Sequence, residues 1–175
     1  DAALWSAVIG GLPFLGYLDQ AELARLRDMA LVFLAEKEMH GAHGLVLADD
    51  VRLAIALQAC LPALNLGLDL YEGWIGIVVH PGEFRVRRAE VDDAGVVHEW
   101  EDGLAGESWP GGPVVLSWND VRLGEAGYNV VIHEFAHKID MLNGDADGYP
   151  FAHSGMDAQT WHAVLEASYR RFCAA

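Results

Sequence analysis

The sequence predicts an α+β fold, and three observations indicate it. Apolar residues recur at helical spacing over about 19–39, 50–66 and 128–142, whereas several segments within 74–118 have the pattern of strands. Helices and strands are therefore partly segregated along the chain, which is typical of the α+β class. The third observation is the composition: 53% hydrophobic and 21% charged residues are the proportions of a globular protein with a sizeable core.

The first predicted helix begins at a capping signal. Residues 1–18 mix apolar residues with glycine and proline, and we expect this segment to pack on the surface of the core. Asp19 followed by Glu22 has the spacing of a capping box, in which each side chain binds the other residue's backbone N–H group. The sequence therefore predicts a helix over about 19–39, ended by HGAHG (40–44).

A second helix is predicted over about 50–66, with Gly67 as its stop. It is apolar nearly all round, which indicates a central, buried position. Its apolar run, 53–68, is shorter than a bilayer span and contains polar residues and a proline, so a buried helix is favoured over a membrane span.

The pattern then changes to that of strands, and we expect a small, mostly antiparallel sheet. A turn, DDAG (92–95), joins the second and third strands into a hairpin, and a glycine-rich loop precedes the fourth. The predicted strands are WIGIVVH (74–80), FRVRRAEV (84–91), VVHEWE (96–101) and PVVLSW (113–118).

Helical spacing returns at about Tyr128 and continues to Leu142, where Asn143-Gly144 ends it. A polar loop extends to about Asp157, and a last helix begins near Ala158. The sequence contains no repeat or low-complexity linker, so we expect residues 1–175 to form a single domain.

The charge and the cysteine count exclude several classes of function. A formal net charge of −15 disfavours nucleic acid and anionic membrane surfaces, because phosphate binding needs clustered Lys and Arg. The two cysteines, Cys60 and Cys173, have no spacing of a disulfide framework or metal site, so we interpret both as free thiols in a reducing compartment. The start of the chain lacks the basic segment of a signal peptide, and we expect a cytoplasmic protein.

The segment NVVIHEFAHKIDMLNG (129–144) contains an HExxH motif: His133, Glu134 and His137. Two histidines four residues apart lie on one face of a helix, so both imidazoles can reach one zinc ion at about 2.0–2.1 Å. Zinc lowers the pKa of a bound water to about 7, and Glu134 can take its proton and pass it to a leaving amine. The motif therefore predicts a zinc site for peptide hydrolysis.

The alternative interpretation is an ordinary buried helix that happens to carry two histidines. The helix is strongly apolar, and burying two histidines and a glutamate there without a partner would be costly, whereas a metal supplies that partner. Lys138 departs from the pattern, because the residue after the second histidine is usually uncharged in zinc peptidases.

Three separated blocks resemble the Mlc titration factor A family of bacterial zinc-dependent peptidases. They occur in the family's order, and the resemblance extends from about Leu12 to Phe172. It implies a zincin-type, gluzincin-like fold, zinc on His133 and His137, Glu134 as general base and activity of the aminopeptidase kind. It also implies a possible protein partner, a glucose-responsive transcriptional repressor. The blocks are IALQACLPALNLGLDLYEGW (55–74), GESWPGGPVVLSWNDV (106–121) and GYNVVIHEFAHKIDMLNG (127–144).

A catalytic zinc normally has three protein ligands. The resemblance implies that the third is a glutamate well downstream of His137. We therefore expect this glutamate to lie beyond Ala175, and we expect this chain to be truncated relative to the family. Other acidic or histidine side chains could substitute, although each has a simpler interpretation as a polar turn, a surface residue or a residue that orients a ligand histidine. These are Asp140, Asp145, Asp147, His153 and Glu166.

Several further residues have two possible interpretations. Tyr128 and Tyr149 flank the motif, and either could stabilise an oxyanion. PVVLSW could pair with an extended peptide or be a plain core strand. Other histidines and tryptophans are interpreted as structural: His40 and His43 in a loop, His80 and His98 at strand ends, and Trp100, Trp109 and Trp118 in the core.

Two functions follow. The first is a cytoplasmic zinc metallopeptidase that acts on peptides, in which Glu134 is the general base. The second is a regulatory module that binds and sequesters a transcriptional repressor, with zinc latent or structural. Cleavage lost on Glu134→Gln would favour the first, and partner binding that survives the same change would favour the second.

Overall fold

The computed structural model describes residues 1–91, 95, 97–123, 128–151 and 157–174. Most of the predicted turn DDAG lies outside these ranges, as does His153, one of the candidate ligands. The chain forms two compact units, Asp1–Lys138 and Ile139–Ala175.

The described residues form six α-helices, and all but the last begin in the first unit. Short 3-10 helices at Pro13–Tyr17 and Leu68–Tyr71 connect some of them. Two of the six, α1 and α4, were not predicted. The helices are α1 (Ala2–Gly10), α2 (Gln20–Glu36), α3 (Asp49–Cys60), α4 (Trp118–Leu123), α5 (Val130–Asp140) and α6 (Ala158–Cys173).

The predicted capping box at the start of α2 is confirmed. The Asp19 carboxylate accepts from the Glu22 N–H group at 2.8 Å, and the Glu22 carboxylate accepts from the Asp19 N–H group at 2.9 Å. The predicted end at 39 is wrong, because α2 ends at Glu36 and the chain turns directly into a strand. The strand is favoured over the helix there because Glu38–Gly41 pair with the neighbouring strand at residues 76–79.

The α+β fold class is confirmed. A central sheet has the strand order β1-β2-β6-β5, in which β5 is antiparallel to β6, and β3 and β4 form a separate antiparallel hairpin. The pairs β1–β2 and β2–β6 are parallel, which the sequence did not predict. The strands are β1 (Glu38–Gly41), β2 (Gly76–His80), β3 (Phe84–Val91), β4 (Val97–Leu104), β5 (Gly106–Ser108) and β6 (Val114–Ser117).

Helix α3 occupies the core of the first unit, as its apolar sequence predicts. Its second half is almost entirely buried, although the helix ends at Cys60 and only turns continue to Gly67. Beside it lies a cluster of aromatic rings whose centroids are 5.2–6.1 Å apart, a separation typical of edge-to-face and tilted packing. The cluster comprises Phe33, Tyr71, Trp74 and Phe135.

The second unit contains the last two residues of α5, the segment that follows them and α6. The Asp157 carboxylate caps α6: it accepts from the Thr160 hydroxyl at 2.6 Å and from the Thr160 N–H group at 2.9 Å. The bond from the hydroxyl, followed by the bond from the N–H group, holds the pKa of Asp157 below its usual value. The indole N–H group of Trp161 donates to the Pro150 carbonyl at 2.6 Å and ties the loop to the helix. No residue of α6 is buried.

Both cysteines are free thiols, as predicted: Cys60 is buried and Cys173 is exposed. Burial raises the pKa of the Cys60 thiol to about 12, so it is an inert core residue. None of the described helices has the length and apolar character needed to cross a membrane.

Candidate functional site

Helix α5 carries the HExxH residues, and Asn129 fixes its start. The Asn129 side-chain oxygen accepts from the Ile132 N–H group at 2.9 Å, which makes Asn129 the N-cap. Its amide nitrogen donates to the Gln58 side-chain oxygen at 2.8 Å. Because Gln58 is a buried residue of α3, the first turn of α5 is tied to the core.

His133 and His137 lie on successive turns of α5 with their Nε2 atoms 3.1 Å apart and their rings nearly perpendicular. One tetrahedral zinc ion with nitrogen ligands at about 2.0–2.1 Å needs a nitrogen–nitrogen separation of about 3.3 Å. The two imidazoles therefore fit the sharing of one such ion. His133 is exposed and His137 half-buried, so the argument from the cost of burial does not apply to them.

Glu134, in contrast, is buried, with 4% of its surface exposed. Burial raises the pKa of its carboxyl above the ordinary value, against the opposing effect of the neighbouring histidines. Strand β5 passes directly over it: a Cβ atom at Gly106 would lie 2.6 Å from Glu134 Oε1, a contact that only glycine avoids. The Ser108 hydroxyl donates to the Glu134 backbone carbonyl at 2.8 Å.

The strand PVVLSW is not available to an extended peptide. It forms β6, which lies between β2 and β5, and its backbone groups already pair on both sides. The core interpretation of this strand is therefore correct. The outer strand on this side is β5, in a segment that the sequence analysis treated as a loop.

Four of the five alternative third ligands lie among the described residues: Asp140, Asp145, Asp147 and Glu166. Among the described residues, no group of three or more His, Cys, Asp or Glu side chains is placed to hold a metal. Asp140 accepts from the Gly148 N–H group at 2.8 Å, Asp147 from the Tyr149 N–H group at 2.9 Å, and Glu166 pairs with Arg170 at 2.5 Å. Asp145 is exposed.

The two flanking tyrosines differ in their surroundings. The Tyr128 ring lies 5.9 Å from the His133 ring, and partial burial together with the carboxylates of Glu134 and Asp120 raises its pKa. The Tyr149 hydroxyl lies 3.0 Å from His162 Nε2, so it has a partner within the second unit.

The first unit contains four more histidines: His40, His43, His80 and His98. The rings of His43 and His80 lie 5.1 Å apart, a pairing that the sequence did not predict, and burial lowers the pKa of His80. His40 lies 3.3 Å from Glu38, two residues away on β1. The side chain of His98 lies outside the described part of the chain.

The tryptophan prediction is wrong for Trp109, which is 52% exposed at the turn after β5. Trp118 is half-buried, and the Trp100 side chain is not among those described. Sequence reasoning also missed Gly106 and Ser108 as neighbours of Glu134. Lys138, which departs from the usual pattern of zinc peptidases, is buried and donates to the Trp109 carbonyl in the turn after β5.

Comparison with known proteins assigns this chain to a family. The model of a family described as glucose-regulated metallo-peptidase M90 matches residues 1–175. An uncharacterized protein of Synechocystis sp. is 37% identical over 173 residues, which are 95% of this chain and 63% of that protein.

Two further relatives carry the name Mlc titration factor A. The protein from Salmonella arizonae is 39% identical over 168 residues, covering 94% of this chain and 66% of the relative. The protein from Klebsiella pneumoniae is 39% identical over 142 residues, covering 79% and 54%. The chain thus spans about two thirds or less of the length of these relatives.

Proposed function

Because this chain belongs to the glucose-regulated metallo-peptidase M90 family, which includes the Mlc titration factor A proteins, we propose that it carries the catalytic centre of a zinc-dependent, aminopeptidase-like enzyme. The membership confirms the resemblance drawn from the three sequence blocks. The observation that carries the proposal is the 3.1 Å approach of His133 Nε2 and His137 Nε2 beside a buried Glu134. We also propose that residues 1–175 form a single domain with a zincin-like fold.

His133 and His137 would hold the zinc ion through their Nε2 atoms. When bound, zinc supplies a Lewis acid that polarises a carbonyl group and acidifies a water molecule. Glu134 is the general base: its carboxylate accepts the proton of the attacking water and returns it to the leaving amine. Strand β5 lies against this side chain, because a Cβ atom at Gly106 would be 2.6 Å from Glu134 Oε1.

We assign the peptide backbone to the outer side of β5. Main-chain N–H and C=O groups of an outer strand bind an extended peptide by adding it to the sheet. Because Gly106 and Ser108 contact Glu134, a peptide on β5 would pass close to the base.

Tyr128 is the better candidate for oxyanion stabilisation. Its ring lies 5.9 Å from the His133 ring, and the residue is 48% exposed. Both observations support a role for its hydroxyl in stabilising the charge that develops on the substrate. Tyr149 is assigned a structural role, since its hydroxyl already binds His162.

The third zinc ligand is assigned, by the resemblance, to a glutamate in the part of the family's sequence beyond Ala175. Asp147 and Glu166 are less suitable, because each carboxylate already has a partner. Asp140 binds Gly148 through Oδ2, while its buried Oδ1 has no hydrogen-bond partner among the described residues, and a role in orienting a ligand histidine fits it better. His133 and His137 alone would then bind zinc weakly in this chain.

The test of the enzyme proposal is Glu134→Gln in a protein of the relatives' length. We expect peptide cleavage to fall about 10²–10⁴-fold, the usual contribution of a general base, with zinc content unchanged. Glu83→Gln, the same change at an exposed carboxylate, is the matched control. Cleavage that survives Glu134→Gln would rule out the assigned base.

A second function is favoured by the name of two relatives, Mlc titration factor A. We propose, as the alternative, that the protein binds a transcriptional repressor without cleaving it. Repressor binding that is equal in the wild type and Glu134→Gln, with no turnover of any peptide, would support this alternative. If neither the wild type nor Glu134→Gln binds the repressor, this alternative is wrong.

A further inference from the structure

A buried lysine directly follows the second histidine of the motif. Only 4% of Lys138 is exposed, and its ammonium donates to the carbonyls of Trp109 and Gly112, both at 2.6 Å. The same ammonium lies 4.6 Å from the centre of the Trp74 indole. Three attractive contacts therefore hold a charge that burial alone would expel.

Both carbonyls belong to the turn that joins β5 to β6. The Gly112 N–H group donates to the Trp109 carbonyl at 3.0 Å, and Gly111 takes a positive φ of 60° between them. A turn with two glycines has little side-chain packing of its own, so its position depends on what its backbone groups bind. Here the bound group is the ammonium of Lys138.

The turn and its strand lie along one face of α5. Val130, Glu134 and Lys138 are four residues apart and so share a face. A Cβ atom at Gly106 would lie 2.7 Å from Val130 Cγ2 and 2.6 Å from Glu134 Oε1, which places β5 against the first two residues. Lys138, the third residue of this face, binds the turn. His133 and His137 lie on a different face of α5.

We propose that Lys138 is a positioning residue: its ammonium fastens the β5–β6 turn to α5 and thereby sets where β5 lies relative to Glu134. The role in catalysis rests on the proposed function, in which Glu134 is the base and β5 holds the peptide. The fastening of the turn is independent of any activity and can be measured by itself.

The chain offers a matched control in Lys37. Its ammonium lies 4.2 Å from the centre of the same Trp74 ring and donates to the Tyr71 and Trp74 carbonyls. Like Lys138, it has a pKa lowered by burial. Its acceptors lie outside the β5–β6 turn, so its removal should cost stability without freeing that turn.

The experiment compares Lys138→Met, Lys138→Arg and Lys37→Met with the wild type. Amide hydrogen exchange is read at the Trp109 and Gly112 N–H groups, which bind within the turn. We expect exchange at these two amides to accelerate about 10–100-fold in Lys138→Met beyond any global change, since two hydrogen bonds to a charged group are lost. Lys138→Arg keeps a cation and should restore part of the protection, and Lys37→Met should leave it unchanged.

In a protein of the relatives' length, KM for a peptide should rise about 10-fold in Lys138→Met with zinc affinity retained, because β5 no longer lies at a fixed distance from Glu134.

Equal rates of amide exchange in Lys138→Met and Lys37→Met would overturn the proposal. Faster exchange with unchanged KM and kcat would overturn the link to Glu134. If the wild type cleaves no peptide, the proposed function fails, and the exchange data alone decide for or against the fastening. Should Lys138→Met not fold, the same readings on Lys138→Arg decide.

Discussion

At the scale of single residues, Gly106 limits what can lie beside the candidate base. Its missing side chain gives Glu134 Oε1 and Val130 Cγ2 the space they occupy. No sequence pattern points to this glycine, because the two residues it accommodates are more than twenty positions away. A contact between distant parts of the chain leaves no local signal in the sequence.

We predict that Gly106→Ala destabilises the protein by about 1–3 kcal/mol, the usual cost of overpacking. The added methyl group must displace the Glu134 carboxylate or the Val130 side chain, so peptide cleavage should fall as well. Gly16→Ala is the control, since a Cβ atom at Gly16 meets nothing within 4 Å. Thermal unfolding of the two variants measures the difference, and equal melting temperatures would contradict the packing argument.

At the same scale, the motif could be predicted in full from the sequence, whereas its environment could not. The spacing of His133 and His137 alone predicts that both imidazoles approach one point, and their Nε2 atoms lie 3.1 Å apart. The sequence cannot say that Glu134 is buried while His133 is exposed, because burial depends on which strand crosses the helix.

At the scale of elements, α5 depends on an N-cap that has two functions. Asn129 accepts from the Ile132 N–H group and also donates to the buried Gln58 of α3. The asparagine before an apolar helical segment is a recognisable N-cap signal, and the predicted start at Tyr128 is one residue before it. Its second bond is long-range and could not be predicted.

We predict that Asn129→Ala costs more stability than a cap alone, which contributes about 1 kcal/mol. The change also leaves the Gln58 side-chain oxygen without its partner in the core, which adds about 1–3 kcal/mol. Asp19→Ala removes an exposed cap of α2 with no second long-range bond and serves for comparison. Urea unfolding of both variants gives the two free energies, and a smaller loss for Asn129→Ala would refute the double role.

The elements that sequence reasoning missed are the short ones. Strand β5 has three residues and α4 has six, too few for either period to be recognised against a glycine-rich background. Long, capped elements were predicted well, and the capping box of α2 is an example. The end of α2 was misplaced because pairing of Met39 with Ile77 in the sheet outweighs helical propensity there.

At the scale of the whole molecule, the main question is how much of the metal centre this chain contains. We predict that zinc raises the melting temperature of residues 1–175 only slightly, and that of a chain of the relatives' length by much more. The stabilisation is RT ln(1 + [Zn]/Kd), so at the same zinc concentration it reports the affinity directly. His133→Ala/His137→Ala should abolish the shift in both chains.

The two outcomes of this zinc titration differ in meaning. A large shift in the longer chain alone would place the third ligand outside residues 1–175. Equal large shifts would mean that the ligand lies within them, and Asp140, Asp145, Asp147 and Glu166 would then be the residues to change. A shift that persists in the double histidine variant would contradict the assignment of zinc to the motif.

The parallel pairing of the central sheet also constrains the order in which the protein can fold. Glu38 pairs with Gly76, and Ile77 pairs with Val114, so each parallel pair joins residues far apart in the chain. Proteins with many such non-local contacts fold in milliseconds to seconds, since long loops must close before the contacts form. Strands β5 and β6, in contrast, are neighbours in the chain and pair antiparallel across a short turn. This hairpin, whose Gly106 lies against Glu134, can therefore form before β6 pairs with β2.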